Sequence, residues 1–155
     1  MADPSDHIPT APRRHFDVLV RTLAEQYGED ARELAPGHWA FEVDTLGGRS
    51  QVVHLLLHEQ ASDAEDASRL IASSPVGPLP TKLDCEGLLR RNAALDVGAI
   101  CVEDLRTEEG LRPFLTVRAT HLLVTAELEE AWELVEDVGR TADALEKDLF
   151  VHDLF

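Results

Sequence analysis

The residue types in this chain that could do chemistry are few, and the histidines come first. His38 and His58 flank two strand-like runs, and His54 sits inside the second. A cross-strand histidine pair can begin a zinc site, but such a site needs three or four ligands whose free ring nitrogens are also held. The hairpin register expected below sets His38 opposite His58 and His54 opposite Glu42, all on the outer face of the sheet. Read this way they are surface histidines, and His54–Glu42 is an exposed pair contributing a few tenths of a kcal/mol. The carboxylates Glu129, Glu130, Glu133, Glu136 and Asp137 could be imagined as an acid–base set. Their helical positions mostly avoid the apolar stripe, so they read as a solvated face. No serine stands in a nucleophile elbow, Ser73 and Ser74 included. Gly47-Gly48 and Gly77-Pro78 lack the lysine and hydroxyl of a phosphate loop. Cys85 and Cys101 have no metal or redox spacing and read as small core hydrophobes. Trp39 and Trp132 fall on stripes expected to face the core. The sequence therefore assigns no catalytic residue, no metal site and no cofactor, and the chain reads as a non-enzyme.

The elements that position these residues follow from hydrophobic periodicity. Thr10 and Pro12 start a helix whose stripe is Phe16, Leu19, Val20, Leu23 and Tyr27, closed by Gly28. Glu29–Gly37 reads as a polar connection. Trp39, Phe41 and Val43 alternate with polar residues as a half-buried strand, and Gln51–His58 returns after Gly47-Gly48. A three-residue loop, Gly47-Gly48-Arg49, would set Val53, Leu55 and Leu57 opposite Val43, Phe41 and Trp39. A two-residue loop at Gly47-Gly48 would instead put His54 beside Phe41 on the core face; a slip of one residue moves the whole set to the other face, so burial selects the three-residue loop and its register. Ala61–Ser68 is an acidic connection, and Arg69–Val76 a third strand.

The stretch from Ser73 to Val102 organises the middle of the chain. A Gly/Pro-rich turn leads to a helix expected over Thr81–Leu95, with Thr81 as N-cap and Asp84 completing a capping box. Cys85, Leu88, Leu89 and Asn92 share one stripe. An amide there is either satisfied within the subunit or placed at an interface, because an unpartnered one is costly to bury. Gly98 suits the tight backbone leading into a strand over Ala99–Leu105. A turn at Thr107–Gly110 precedes a strand over Leu111–Val124. Thr125 is expected to cap a last amphipathic helix, and the tail from Phe150 to Phe155 is unusually apolar.

Composition narrows the functional classes. At 155 residues the chain can bury roughly two-thirds of its unfolded surface. A net charge of −16 opposes binding to nucleic acid or anionic lipid and favours, if anything, a basic partner. The longest apolar run, Val52–Leu57, is too short to span a bilayer. The acidic, proline-bearing start does not read as a signal peptide. Residues 1–10 read as a disordered acidic leader, 11–155 as one domain, and the compartment as a bacterial-type cytoplasm.

The expected order is helix, three strands, helix, two strands, helix: an α+β fold with a twisted, mostly antiparallel five-stranded sheet flanked by helices. Ser74-Pro75-Val76-Gly77-Pro78-Leu79-Pro80, Leu88-Leu89-Arg90-Arg91-Asn92-Ala93 and Gly98 resemble the YbjN-like and type III secretion chaperone-like (CesT-type) family. The resemblance implies a homodimer with Leu88, Leu89 and Asn92 at or near the two-fold contact. It also implies a client protein, held as an extended segment along apolar grooves beside the sheet and first helix. Phe16, Leu19, Leu23, Val52 and Leu56 are the residues that would contact it. The alternative is an acidic stress-response or regulatory protein that binds a basic partner by charge.

Overall fold

The computed structural model describes residues 10–59 and 67–151. Most of the expected leader, much of the acidic connection before Arg69 and the last four residues of the apolar tail lie outside the described residues. Among the described residues the fold is α+β, with three α-helices and a six-stranded antiparallel sheet. Helix α1 spans Ala11–Tyr27, strand β1 Ala31–Ala35, β2 His38–Thr45, β3 Arg49–His58 and β4 Arg69–Pro78. Helix α2 spans Cys85–Ala93, β5 Ala99–Thr107, β6 Gly110–Leu122 and α3 Leu128–Glu146. The spatial order of strands is β1-β2-β3-β4-β6-β5.

One strand more is present than periodicity predicts. Ala31–Ala35 is not a connection but β1, paired along the edge of β2. Its residues are mostly exposed, so it carries no apolar alternation by which to read it.

The β2–β3 hairpin keeps the predicted parity and shifts by two residues. Thr45 pairs with Arg49, so the loop is Leu46-Gly47-Gly48 rather than Gly47-Gly48-Arg49. Both glycines take positive φ, which only glycine adopts without strain. Phe41 consequently faces Val53, and Trp39 faces Leu55. A two-residue shift leaves every side chain on its face, so burial alone cannot distinguish these registers. His38 lies opposite Leu56, not His58, and His54 opposite Ala40, not Glu42.

All three helices pack on one face. Thr10 caps α1 as expected by accepting from the Arg13 N–H at 3.2 Å. The α1 stripe of Phe16, Leu19, Val20 and Leu23 is buried against the sheet and α3. Each such side chain contributes about 1.5–3 kcal/mol through burial. Helix α3 begins two residues later than expected. Glu127 and Glu130 form its capping box, while Thr125 lies in the preceding 3-10 turn. Its stripe of Ala131, Val135, Val138, Ala142 and Leu145 is buried. Gly139 lets α3 cross close over β2 and β3, because a Cβ there would lie 3.0 Å from Val43 Cβ.

Four side chains depart from their expected places. Trp132 is 38% exposed rather than in the core. Glu136 is buried, accepting from the Tyr27 hydroxyl at 2.7 Å and from Arg140 at 2.6 Å. Burial, then that bond to Glu136, raises the Tyr27 pKa. Cys85 is exposed at the start of α2 and Cys101 half-buried, so neither is a core hydrophobe.

Helix α2 is shorter than predicted. Asp84 is its N-cap, accepting from the Gly87 N–H at 2.9 Å, and Thr81 stands outside it. The Gly/Pro-rich stretch before it is not all turn either: β4 continues to Pro78 through an irregularity between Pro75 and Gly77. Proline lacks the N–H a central ladder needs, so it is tolerated at such a bulge. Phe150 packs where a Gly77 side chain would stand, 2.6 Å from the built Cβ position, so this part of the apolar tail is docked.

Candidate functional site

Among the described residues, no helix covers the other face of the sheet, yet several of its side chains are buried. Ile71, Ser73 and Thr116 are 7%, 8% and 1% exposed. They are covered because the sheet curls. Side chains from β2 through β5 line one cavity of about 400 Å³, although those strands stand roughly 19 Å apart in a flat sheet at the usual spacing. The break in register at Pro75/Gly77, midway across the sheet, supplies the bend that bulges introduce.

A second observation requires the same curl. Glu103 pairs with Phe114, whereas Arg118 pairs with Ala99, four places along the ladder. Even so, Arg118 Nη1 donates to Glu103 Oε1 at 2.8 Å, and Ser73 Oγ donates to Glu103 Oε2 at 2.9 Å. Both carboxylate oxygens are therefore engaged, and the charge is compensated. This network forms one wall.

The opposite wall is histidine. His38 Nε2 and His54 Nδ1 share a hydrogen bond of 2.9 Å, with ring centroids 5.1 Å apart. The shifted register creates this contact, since it makes the two diagonal neighbours across β2 and β3. Burial lowers the pKa of both. At His54 the charges of His38 and Arg32 add to that effect, and Glu103 opposes it. The lowered values favour the neutral rings, and among the described residues the second nitrogen of each makes no hydrogen bond.

Leu56, Ile71, Pro75 and Leu105 supply the apolar lining between the walls. Thr116 also lines the cavity, and its buried hydroxyl has no hydrogen-bond partner among the described residues. Burial, then the nearby Glu103 carboxylate, raises the Cys101 pKa on the same face, keeping it a thiol. No cluster of three or more His, Cys, Asp or Glu could hold a metal among the described residues.

The residues singled out from sequence divide between the two faces. Phe16 and Leu23 are fully buried and Leu19 nearly so. A client could reach these three only by displacing α1. Val52 and Leu56 are half-buried on the curled face, and Leu56 lines the cavity. In α2, Leu88 packs against the core and Leu89 is 69% exposed. Asn92 is satisfied within its own subunit, its Oδ1 accepting from the Ile100 N–H at 2.8 Å.

Ser73, Glu103, Thr116 and Arg118 were not singled out from sequence as site residues. Alternation along β5 and β6 puts them on the outward face, but only the curl brings them together. Among the described residues, no helix is long and apolar enough to cross a membrane. No family model matches the chain, and no curated protein matches it either.

Proposed function

We propose that the chain is a non-enzymatic cytoplasmic binding protein that holds an extended segment of a partner protein along the curled, helix-free face. It acts as a homodimer with α2 at the two-fold contact. The observation that carries this reading is that Glu103 and Leu105 belong both to the cavity wall and to β5, the end strand of the sheet. An end strand has free N–H and C=O groups along one side, and an added strand can pair with them. A segment pairing there runs beside the cavity and presents alternate side chains to it. Val52 and Leu56 then remain as client contacts, while the role expected of Phe16, Leu19 and Leu23 passes to Ile71, Pro75 and Leu105. Leu89 on α2 and Val102 on β5, 69% and 55% exposed, support the dimer.

The rival reading is charge-driven capture of a basic partner. The net charge of −16 favours it. However, the curled face itself carries Arg32, Arg69, Arg112 and Arg118 against Glu42, Asp44 and Glu103, so the excess acid lies elsewhere. Terminally blocked peptides alternating apolar residues with serine, titrated onto the full chain and followed by amide NMR shifts, separate the two. Shifts are expected at β5 and the cavity, and the affinity should persist at high salt. Leu105→Glu should weaken binding about tenfold or more by placing a charge on apolar surface. Failure of every peptide, or affinity that collapses with salt, contradicts the proposal.

A further inference from the structure

We propose that the segment joining β5 lies antiparallel to it and reads, from its N-terminus, acidic, apolar, basic, small and uncharged, apolar, the pattern that the side chains of β5 select. This rests on the reading that a partner segment pairs with the edge of β5.

The register is bounded by α2. The Ile100 N–H is held by Asn92 Oδ1 at 2.8 Å, so it points away from β6, and in an antiparallel ladder every second residue directs its N–H and C=O to the same side. Val102, Asp104 and Arg106 therefore offer theirs to the outer edge, and β5 ends at Thr107. At Ile100 the place of an added strand is taken by Asn92, so a joining segment stops opposite Val102. The strand pairings among the described residues are all antiparallel, the orientation that is also slightly the more stable per residue.

The side chains then set the pattern. Val102, Asp104 and Arg106 are exposed on one face of β5, while Glu103 and Leu105 are half-buried on the other. Across the ladder Asp104 faces Pro113 and Arg106 faces Leu111. Neither charge has an ion-pair partner among the described residues. Charges of one sign on an edge repel other strands. Two of opposite sign instead favour a strand carrying the signs reversed, because opposite charges directly across a ladder attract and like charges repel. An antiparallel segment accordingly sets an acidic residue against Arg106 and, two places later, a basic one against Asp104. An apolar residue fits opposite Val102. On the cavity side the residue opposite Leu105 is apolar, continuing the lining of Leu56, Ile71 and Pro75. The residue opposite Glu103 is small and uncharged, since Arg118 and Ser73 already engage both oxygens of that carboxylate. A second copy of β5 meets these terms less well. Asp104-Leu105-Arg106 complements itself when paired about Leu105, but Val102 would then face a Glu108, beyond the end of the strand.

The test titrates three terminally blocked peptides onto the full-length protein, with amide NMR as readout. They are Ser-Glu-Leu-Lys-Ser-Val-Ser, its charge-swapped form Ser-Lys-Leu-Glu-Ser-Val-Ser and its reversed form Ser-Val-Ser-Lys-Leu-Glu-Ser. All have the same net charge, so the overall charge of the protein does not distinguish them. The first should shift Val102, Asp104 and Arg106 and bind about fivefold tighter than either of the others. Salt should narrow that preference without abolishing binding. In the double variant Asp104→Arg, Arg106→Asp the order of the first two should invert. Equal affinity for those two, or a preference that the double variant leaves in place, overturns the pattern, and tighter binding of the reversed peptide overturns the orientation. Amides of Val102, Asp104 and Arg106 that are already protected in the free protein, increasingly with its concentration, would give the edge to a second copy and overturn the assignment. If the three peptides bind alike while serine-alternating peptides still shift β5, the pattern falls and the segment-holding reading stands. If no peptide binds, both fall.

Discussion

Thr116, His38 and His54 concentrate the chemistry of the curled face. The two histidines give it a pH dependence whose sign is set by burial. Their folded pKa values are depressed, so between those values and the ordinary histidine value near about 6.5 the unfolded chain binds more protons. Stability is then fully present above the unfolded value and is lost as pH falls through it. The urea midpoint should drop more between about pH 7 and pH 5 in the unsubstituted protein than in His54→Gln, and equal slopes would remove the pair from this account. Histidine alternation showed that both rings face outward, but their contact depends on a two-residue shift that burial does not constrain. Asn92 was legible as an amide in need of a partner. That the partner is its own Ile100 N–H required the turn at Gly98, where φ is +77° and a Cβ would lie 2.8 Å from the Arg118 carbonyl oxygen.

Elements were easier to read than their boundaries. The stripes of α1 and α3 and the strands β2 to β6 follow from periodicity. The exposed edge strand β1 does not, because nothing apolar alternates in it. The N-caps of α2 and α3 fell to Asp84 and Glu127 rather than to Thr81 and Thr125, since a side chain of either kind can satisfy the free N–H groups of a first turn. The curl of the sheet was the least legible feature. Pro75 and Gly77 mark a bulge only once β4 is known to continue past them. Helix α2 carries the dimer proposal, and Leu89 is the side chain that tests it. Leu89→Asp should shift sedimentation velocity from dimer to monomer at micromolar concentration while leaving the thermal midpoint of the monomer within a few degrees. A native chain that sediments as a monomer at every concentration would contradict that proposal.

Taken as a whole, the molecule has two unlike faces. The helix side is spent on the core: Phe16, Leu23, Phe41, Leu55 and Leu70 are fully buried there. The curled side lines a cavity with Leu56, Ile71, Pro75 and Leu105, beside an end strand whose outer edge, apart from the Ile100 N–H held by Asn92, has no strand partner among the described residues. The strong negative charge, the most visible bulk property of the sequence, is distributed away from that side and is not what the site is built from. The central claim is that a partner segment joins the sheet at β5, and backbone hydrogen exchange measures this most directly. On addition of a binding peptide, the amides of Val102, Asp104 and Arg106, which share the outer side of β5 with the Ile100 N–H already held by Asn92, should slow by about tenfold or more, while those of β1, at the opposite end of the sheet, stay unchanged. Binding that leaves β5 exchange untouched, or that protects β1 instead, would contradict the account.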